Sequence, residues 1–201
     1  IIPANTRAYI YPYSGGTQEV STLTTHMTEY TVGSNGLATM PGELPDTVGY
    51  TYCLSLGAEE TQAKIAGKDV LFNSNVYFYV DNFLEMPTGI PVPEAYYDND
   101  KAAWVPSTNG IVLQLLGTNG SGLARISVVT NGTEADAGTL AGLGFSDGER
   151  QLLAELYNPC TNSLWRIPIN HFSCGDANYG TGGAAGSKAS EGNLGQGKKG
   201  S

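Results

Sequence analysis

Apolar residues in this chain never run for more than a few positions before a turn-forming cluster interrupts them. Runs of that length suit β-strands, and they fall far short of the roughly 20 apolar residues a membrane-spanning helix needs. Candidate strands are Ala8–Tyr13, Met27–Val32, Tyr50–Leu56, Asp69–Phe72, Val76–Val80, Ala103–Val105, Ile111–Leu116, Arg125–Thr130 and Ser163–Ile169. Between them stand Ser34-Asn35-Gly36, Asn73-Ser74-Asn75, Asp98-Asn99-Asp100, Asn109-Gly110 and Asn119-Gly120, residues that tolerate positive φ or bond their own backbone. One segment departs from this pattern. Ser146-Asp147-Gly148-Glu149 reads as a capping box, Leu152, Leu153, Leu156 and Tyr157 follow at helical spacing, and Pro159 ends the run. The expected fold is therefore mainly β, with sandwich-like antiparallel sheets and one short α-helix over about 147–157.

Composition divides the chain. From Gly180 to Ser201 there are eight Gly, three Lys and a single large apolar residue, Leu194. Too little surface can be buried there to offset the entropy of ordering, so the segment reads as a disordered-type tail or linker. The stretch 87–93, Pro-Thr-Gly-Ile-Pro-Val-Pro, is stiff and extended and unsuited to a central strand, which suggests a connector or edge. The expected organisation is a β sub-module over 1–86, the connector 87–93, a second β sub-module with the helix over 94–179, and the tail 180–201. The opening at Ile1 lacks a charged and then apolar leader, which is the expectation for a processed or excised product.

Charge narrows the partners. Ten Lys and Arg face nineteen Asp and Glu, and residues 1–179 carry seven basic and eighteen acidic side chains. Nucleic acid and anionic membrane surfaces are poor partners for a chain without a basic cluster. Charged residues make up only 14% of the sequence, against about 25% in an average soluble domain.

Few residue constellations offer chemistry. His171, Ser173, Cys174 and Asp176 supply a base, nucleophiles and an acid within six positions. Reactive triads usually draw on separate elements, and no nucleophile-elbow or papain-like context surrounds these residues, so a capped strand end is the expected role. Cys160 and Cys174 flank a predicted strand in turn-like surroundings and are the disulfide candidates; free thiols and other pairings remain open, with Cys53 expected as a buried thiol. Asp98-Asn99-Asp100 begins like a calcium loop, but Lys101-Ala102-Ala103 follows, so a hairpin turn between Tyr96-Tyr97 and Trp104-Val105 is expected. Tyr77 and Tyr79 share one face of a strand and are candidates for a glycan-stacking face, with inward packing as the commoner use. Asn119-Gly120-Ser121 and Asn131-Gly132-Thr133 match the N-glycosylation pattern. No cofactor or metal is expected.

The stretch Ile90–Leu116, IPVPEAYYDNDKAAWVPSTNGIVLQLL, resembles a segment upstream of the repeats in bacterial Rhs (rearrangement hotspot, YD-repeat) proteins. Short blocks on either side occur in a compatible order, including Glu29–Gly33, Met40-Pro41-Gly42, Leu44-Pro45, Tyr50-Thr51-Tyr52, Tyr79–Phe83, Leu143-Gly144, Glu149-Arg150 and Ser163–Ile169 with His171-Phe172. The likeness spans roughly 20–179. Two departures stand out: Gly117–Gly122 lacks the carboxylates of a calcium-like loop, and Cys174 is displaced relative to the usual ending. No YD repeats are present. The resemblance implies a non-catalytic β module of a large secreted or surface protein.

The functional expectation is a structural or interaction module outside the cytoplasm, whose partners are other copies of itself or domains of a parent protein. A surface glycan is the alternative partner, and a Cys/His hydrolase the alternative from another class. Ile1, Ile2, Ala8, Ile10 and Tyr11 lie in an apolar, β-prone opening segment, residues 1–13, with Pro3 and Pro12 near its ends, and are the candidates for a strand exchanged between copies.

Overall fold

The computed structural model describes residues 1–30, 37–42 and 51–177. The predicted turn at Ser34-Asn35-Gly36, the blocks at Leu44-Pro45 and Tyr50, and the Gly-rich tail lie outside the described residues. Among the described residues the chain is mainly β, with two antiparallel sheets and two α-helices. In chain order the strands are β1 (Ala8–Ile10), β2 (Gln18–Val20), β3 (Thr25–Glu29), β4 (Tyr52–Ala58), β5 (Val70–Asp81), β6 (Pro91–Val92), β7 (Glu94–Asp98), β8 (Ala103–Pro106), β9 (Gly110–Thr118), β10 (Ala124–Ser127), β11 (Ser163–Phe172) and β12 (Cys174–Ala177). Helices α1 (Ala137–Gly142) and α2 (Asp147–Leu156) lie between β10 and β11. One sheet runs β10-β9-β11-β5-β1-β2, with β6 also paired to β9, and the other runs β3-β4-β12-β7-β8. Among the described residues no helix is long and apolar enough to cross a membrane.

Two compact units divide the chain, each drawn from three stretches. They replace the contiguous halves expected from composition, although one boundary, between Val92 and Pro93, falls at the end of the 87–93 stretch. The first unit comprises Ile1–Thr6, Asn75–Val92 and Asn109–Ile169. Its core gathers Leu113 and Leu115 of β9, Ala124 and Ile126 of β10, Leu140 of α1, Leu153 of α2, and Cys160 and Leu164. β9 is hydrogen-bonded on both sides, by β10 and β11, and its Val112 and Leu113 are both fully buried, as expected of a central strand. The second unit comprises Arg7–Ser74, Pro93–Thr108 and the chain from Asn170. There β12 lies between β4 and β7, with Asp176 opposite Cys53 on one side and Ala95 on the other.

Several boundaries differ from expectation for local reasons. Asn73-Ser74-Asn75 is not a turn but the middle of β5. Asn73 accepts the Arg7 backbone N–H on its side-chain oxygen at 2.6 Å and donates its own N–H to the Arg7 carbonyl, which gives its polar side chain a partner in an extended strand. The single predicted helix is joined by α1, which Asp136 caps by accepting the Thr139 N–H at 2.8 Å. Six residues with two glycines and one buried side chain leave too faint a periodicity to read. The turn at Asp98–Asp100 is the expected β7–β8 hairpin, with the Asp98 carboxylate accepting from the N–H groups of Asp100 and Lys101. Asn119 likewise folds back on Ser121 and Leu123 between β9 and β10.

The Pro-rich stretch becomes a short strand fixed by one glycine. Gly89 donates to the Val112 carbonyl, and Val112 donates back to Ile90, so β6 enters beside β9. Gly89 has φ +92°, and a Cβ there would lie 2.4 Å from the Val128 carbonyl oxygen. Left-handed backbone costs a non-glycine residue about 1–2 kcal/mol before any clash. We therefore expect Gly89→Ala to lower stability in urea unfolding by about 2–4 kcal/mol; an unchanged midpoint would show that this close approach does not exist in solution.

Candidate functional site

In the first unit the ionisable chemistry is gathered around Arg166 of β11, whose side chain is buried. Its guanidinium donates to Glu149 through Nε at 2.8 Å and through Nη2 at 2.9 Å, the two-pronged geometry that fits a carboxylate. Nη1 donates to the Leu143 carbonyl and Nη2 also to the Gly144 carbonyl, which places the cation at the carbonyl-rich end of α1. Tyr77 and Phe145 stack on the guanidinium, with its carbon 3.4 and 3.8 Å from their ring centroids. Tyr79 donates its hydroxyl to Glu149 at 2.6 Å. Burial, and after it the Glu149 charge, push the Tyr79 hydroxyl well above its ordinary pKa. Burial is the largest single influence and opposes the Arg166 charge, but the bond to Glu149 and the charges of Tyr79, Glu149 and Tyr77 together outweigh it and hold the guanidinium above its usual pKa.

This network corrects two expectations. Tyr77 and Tyr79 do share a strand face, but that face points inward, with one ring covered by Arg166 and one hydroxyl committed to Glu149. They form no glycan platform. The Ser146–Glu149 motif is half a capping box: Ser146 accepts the Glu149 N–H at 3.1 Å, while the Glu149 carboxylate turns into the core instead of back along the helix. α2 consequently buries Glu149, at 2% exposure, and Leu153, while Leu152 and Leu156 stand 40% and 67% exposed. The signal for this inversion was the presence of Arg166 in an apolar strand, a charge that needs a partner when buried.

The enzyme-like cluster disperses within the second unit. His171 is buried with its ring edge-on to Tyr96, centroids 4.7 Å apart, and burial together with the Lys68 charge takes its pKa down to about 4. Cys174 instead turns to Cys53, with the two sulfur atoms 4.0 Å apart. Ser173 is buried, and its carbonyl accepts the Leu56 N–H. The His171 imidazole thus packs on a tyrosine ring, while the Cys174 thiol is turned to another thiol. The expected bridge between Cys160 and Cys174 is also corrected. All three cysteines are free, Cys160 is packed among the leucines of the first unit, and the sulfur beside Cys174 belongs to Cys53. Spacing along the chain could not reveal that β4 and β12 are neighbours.

The opening segment is used internally. β1 pairs with β2 on one side and β5 on the other, so Ala8 and Ile10 present no open edge. Ile10 and Tyr11 are buried, the Tyr11 carbonyl accepts from Gln62 and Ala63, and Ile1 exchanges backbone hydrogen bonds with Tyr77. Only Ile2 stands largely exposed among the five candidates for an exchanged strand. Among the described residues no cluster of His, Cys, Asp and Glu has the arrangement of a metal site.

No family model, curated protein or solved structure matches this chain. The geometry itself therefore carries the functional argument.

A buried ion pair that loses one partner strands the other, at a cost of about 3–5 kcal/mol. Arg166→Met and Glu149→Leu should each destabilise the fold by about that amount, whereas the double variant should lose less than the sum, with a coupling of about 2–3 kcal/mol in urea titrations. Additive losses would contradict the pairing.

Proposed function

We propose that this chain is a non-catalytic structural or interaction module of an extracellular or cell-surface protein, and that it associates through the open edge of β3. The observation that carries this reading is the exposure of that strand. Thr25 to Thr28 are all exposed, and β3 pairs with β4 alone among the described residues. The ladder fixes which backbone groups point outward. Tyr30 and Glu59 donate across the β3–β4 pair to Cys53 and Thr24, while Leu56, opposite Met27, donates to Ser173 on its other side. Hydrogen-bonded and non-bonded pairs alternate in an antiparallel ladder, so Met27 directs its N–H and C=O away from β4. Its side chain is 57% exposed. An outward backbone donor and acceptor beside an apolar side chain suit the addition of a strand from a partner, a second copy being the simplest.

Three further features favour interaction over catalysis. His171 and Cys174 face different neighbours, Arg166 and Glu149 satisfy each other, and α2 exposes Leu152 and Leu156. The resemblance to the pre-repeat region of Rhs proteins points to the same class and to a location outside the cytoplasm.

Met27→Pro tests the edge while leaving the β4 hydrogen bonds in place, because the N–H that proline removes points outward and an edge strand accommodates its fixed φ. The wild-type chain is expected to associate with rising concentration in sedimentation velocity, and Met27→Pro to remain monomeric with an unchanged thermal midpoint. A wild type that stays monomeric throughout, or a variant that associates equally well, would refute the β3 edge. Thiol-dependent turnover of ester, peptide or glycoside substrates would refute the non-catalytic reading.

A further inference from the structure

The second unit holds two thiols whose placement is fixed by the sheet rather than by sequence proximity. β12 pairs with β4 so that Asp176 faces Cys53 and Cys174 faces Ser55. Side chains directly opposite one another share a face, and so do residues two apart along a strand, which puts Cys53 and Cys174 on one face as diagonal neighbours. They are 121 positions apart in the chain, yet their sulfur atoms lie 4.0 Å apart. Tyr30, Met40, Tyr97 and Trp104 pack against the pair, and Asp176 and Glu94 bring two carboxyl groups beside it. β12 is hydrogen-bonded on both sides, so the spacing cannot change by strand slippage without breaking two ladders. Cys160 belongs to the core of the first unit and leaves these two as the paired thiols.

We propose that Cys53 and Cys174 are a redox-convertible pair that closes to an intrachain disulfide when the chain meets a disulfide oxidant, whether a small molecule of the glutathione type or an oxidoreductase. Access sets the order of events. Cys174 is half-buried and Cys53 is almost fully buried, so Cys174 meets the oxidant first. Its thiolate attacks one oxidant sulfur, expels the other as a thiolate, and becomes a mixed disulfide. Cys53 then loses its proton and attacks the Cys174 sulfur, forming the bond between the two strands and releasing the second thiolate. The chain gives up two electrons and two protons, and the oxidant is reduced to two thiols. Closure needs the sulfurs to approach from 4.0 Å to about 2.05 Å, which for diagonal neighbours combines side-chain rotation with a small approach of the two strands.

The surroundings set the rate. The neighbouring Cys174 thiol, burial and the carboxylates of Asp176 and Glu94 all raise the pKa of the Cys53 thiol. Glu94 itself is held well above the usual carboxylate range, by burial first and then by the Asp176 charge. Once Cys174 is in the mixed disulfide its thiol contribution is gone, but burial and the neighbouring carboxyl groups still hold the Cys53 thiol up, and because only the thiolate reacts the resolving step quickens as pH rises. This inference is independent of the β3 edge, and either can fail alone.

The test uses the full reduced chain, equilibrated with glutathione disulfide, quenched with an alkylating reagent and mapped without reduction. Alkylation should fall from three sites to one, at Cys160, with the chain lighter by two hydrogens and a peptide pair joining Cys53 to Cys174. The closed form should melt several degrees above the reduced form, because the bond closes a long loop. Cys160→Ser should close as the wild type does, whereas Cys53→Ser should stop at a glutathione adduct on Cys174. Three alkylated thiols after equilibration, a link that includes Cys160, or covalent dimers in place of the internal bond would each overturn the proposal.

Discussion

The first unit depends on one interaction, the buried bond between Arg166 and Glu149. A guanidinium taken out of water needs its charge neutralised and its N–H groups satisfied together. Glu149 does the first, and the carbonyls of Leu143 and Gly144 complete the second. Those demands fix much of the neighbourhood. They require α2 to begin where Glu149 faces β11, they require the turn after α1 to present its carbonyls, and they leave Tyr77 and Phe145 to cover the two faces of the guanidinium. Leu153 and the leucines of β9 then pack around a site already oriented. An all-apolar core would bind the same elements with less regard to their angle.

The exposure of Leu152 and Leu156 follows from the same constraint. A ten-residue helix offers few inward positions, and Glu149 takes one of them. The leucines four residues apart on the outer side are then left in water, which is the opposite of the usual distribution on a surface helix. In the second unit the corresponding constraint is the central position of β12. Its pairing on both sides turns Cys174 and Asp176 to one face beside Cys53, while the His171 ring packs on Tyr96.

How much was legible in the sequence follows from the range of the forces involved. The β class, the β7–β8 hairpin, the turn at Asn119 and the start of α2 at Asp147 rest on contacts a few residues apart, and all were readable from turn chemistry and spacing. Asn73-Ser74-Asn75 misleads because its turn propensity is overridden by a backbone partner, Arg7, 66 positions away. The neighbours of the cysteines, the inward face of Tyr77 and Tyr79, and the internal pairing of β1 all depend on strand order. Local pattern carries no record of that order. Glu149 is the instructive case, since its spacing from Ser146 satisfies a local rule while its carboxylate answers a tertiary demand.

The central claim is that Arg166 is locked inside the first unit by Glu149, and the exchange rate of the Arg166 Nε–H tests it most directly. Nuclear magnetic resonance of the arginine side chains should resolve one Nε–H protected from solvent exchange as strongly as the core amides of Leu113 and Leu115, and Glu149→Gln should weaken that protection. Exchange of the Arg166 Nε–H as fast as that of the exposed Arg7 side chain would contradict the account.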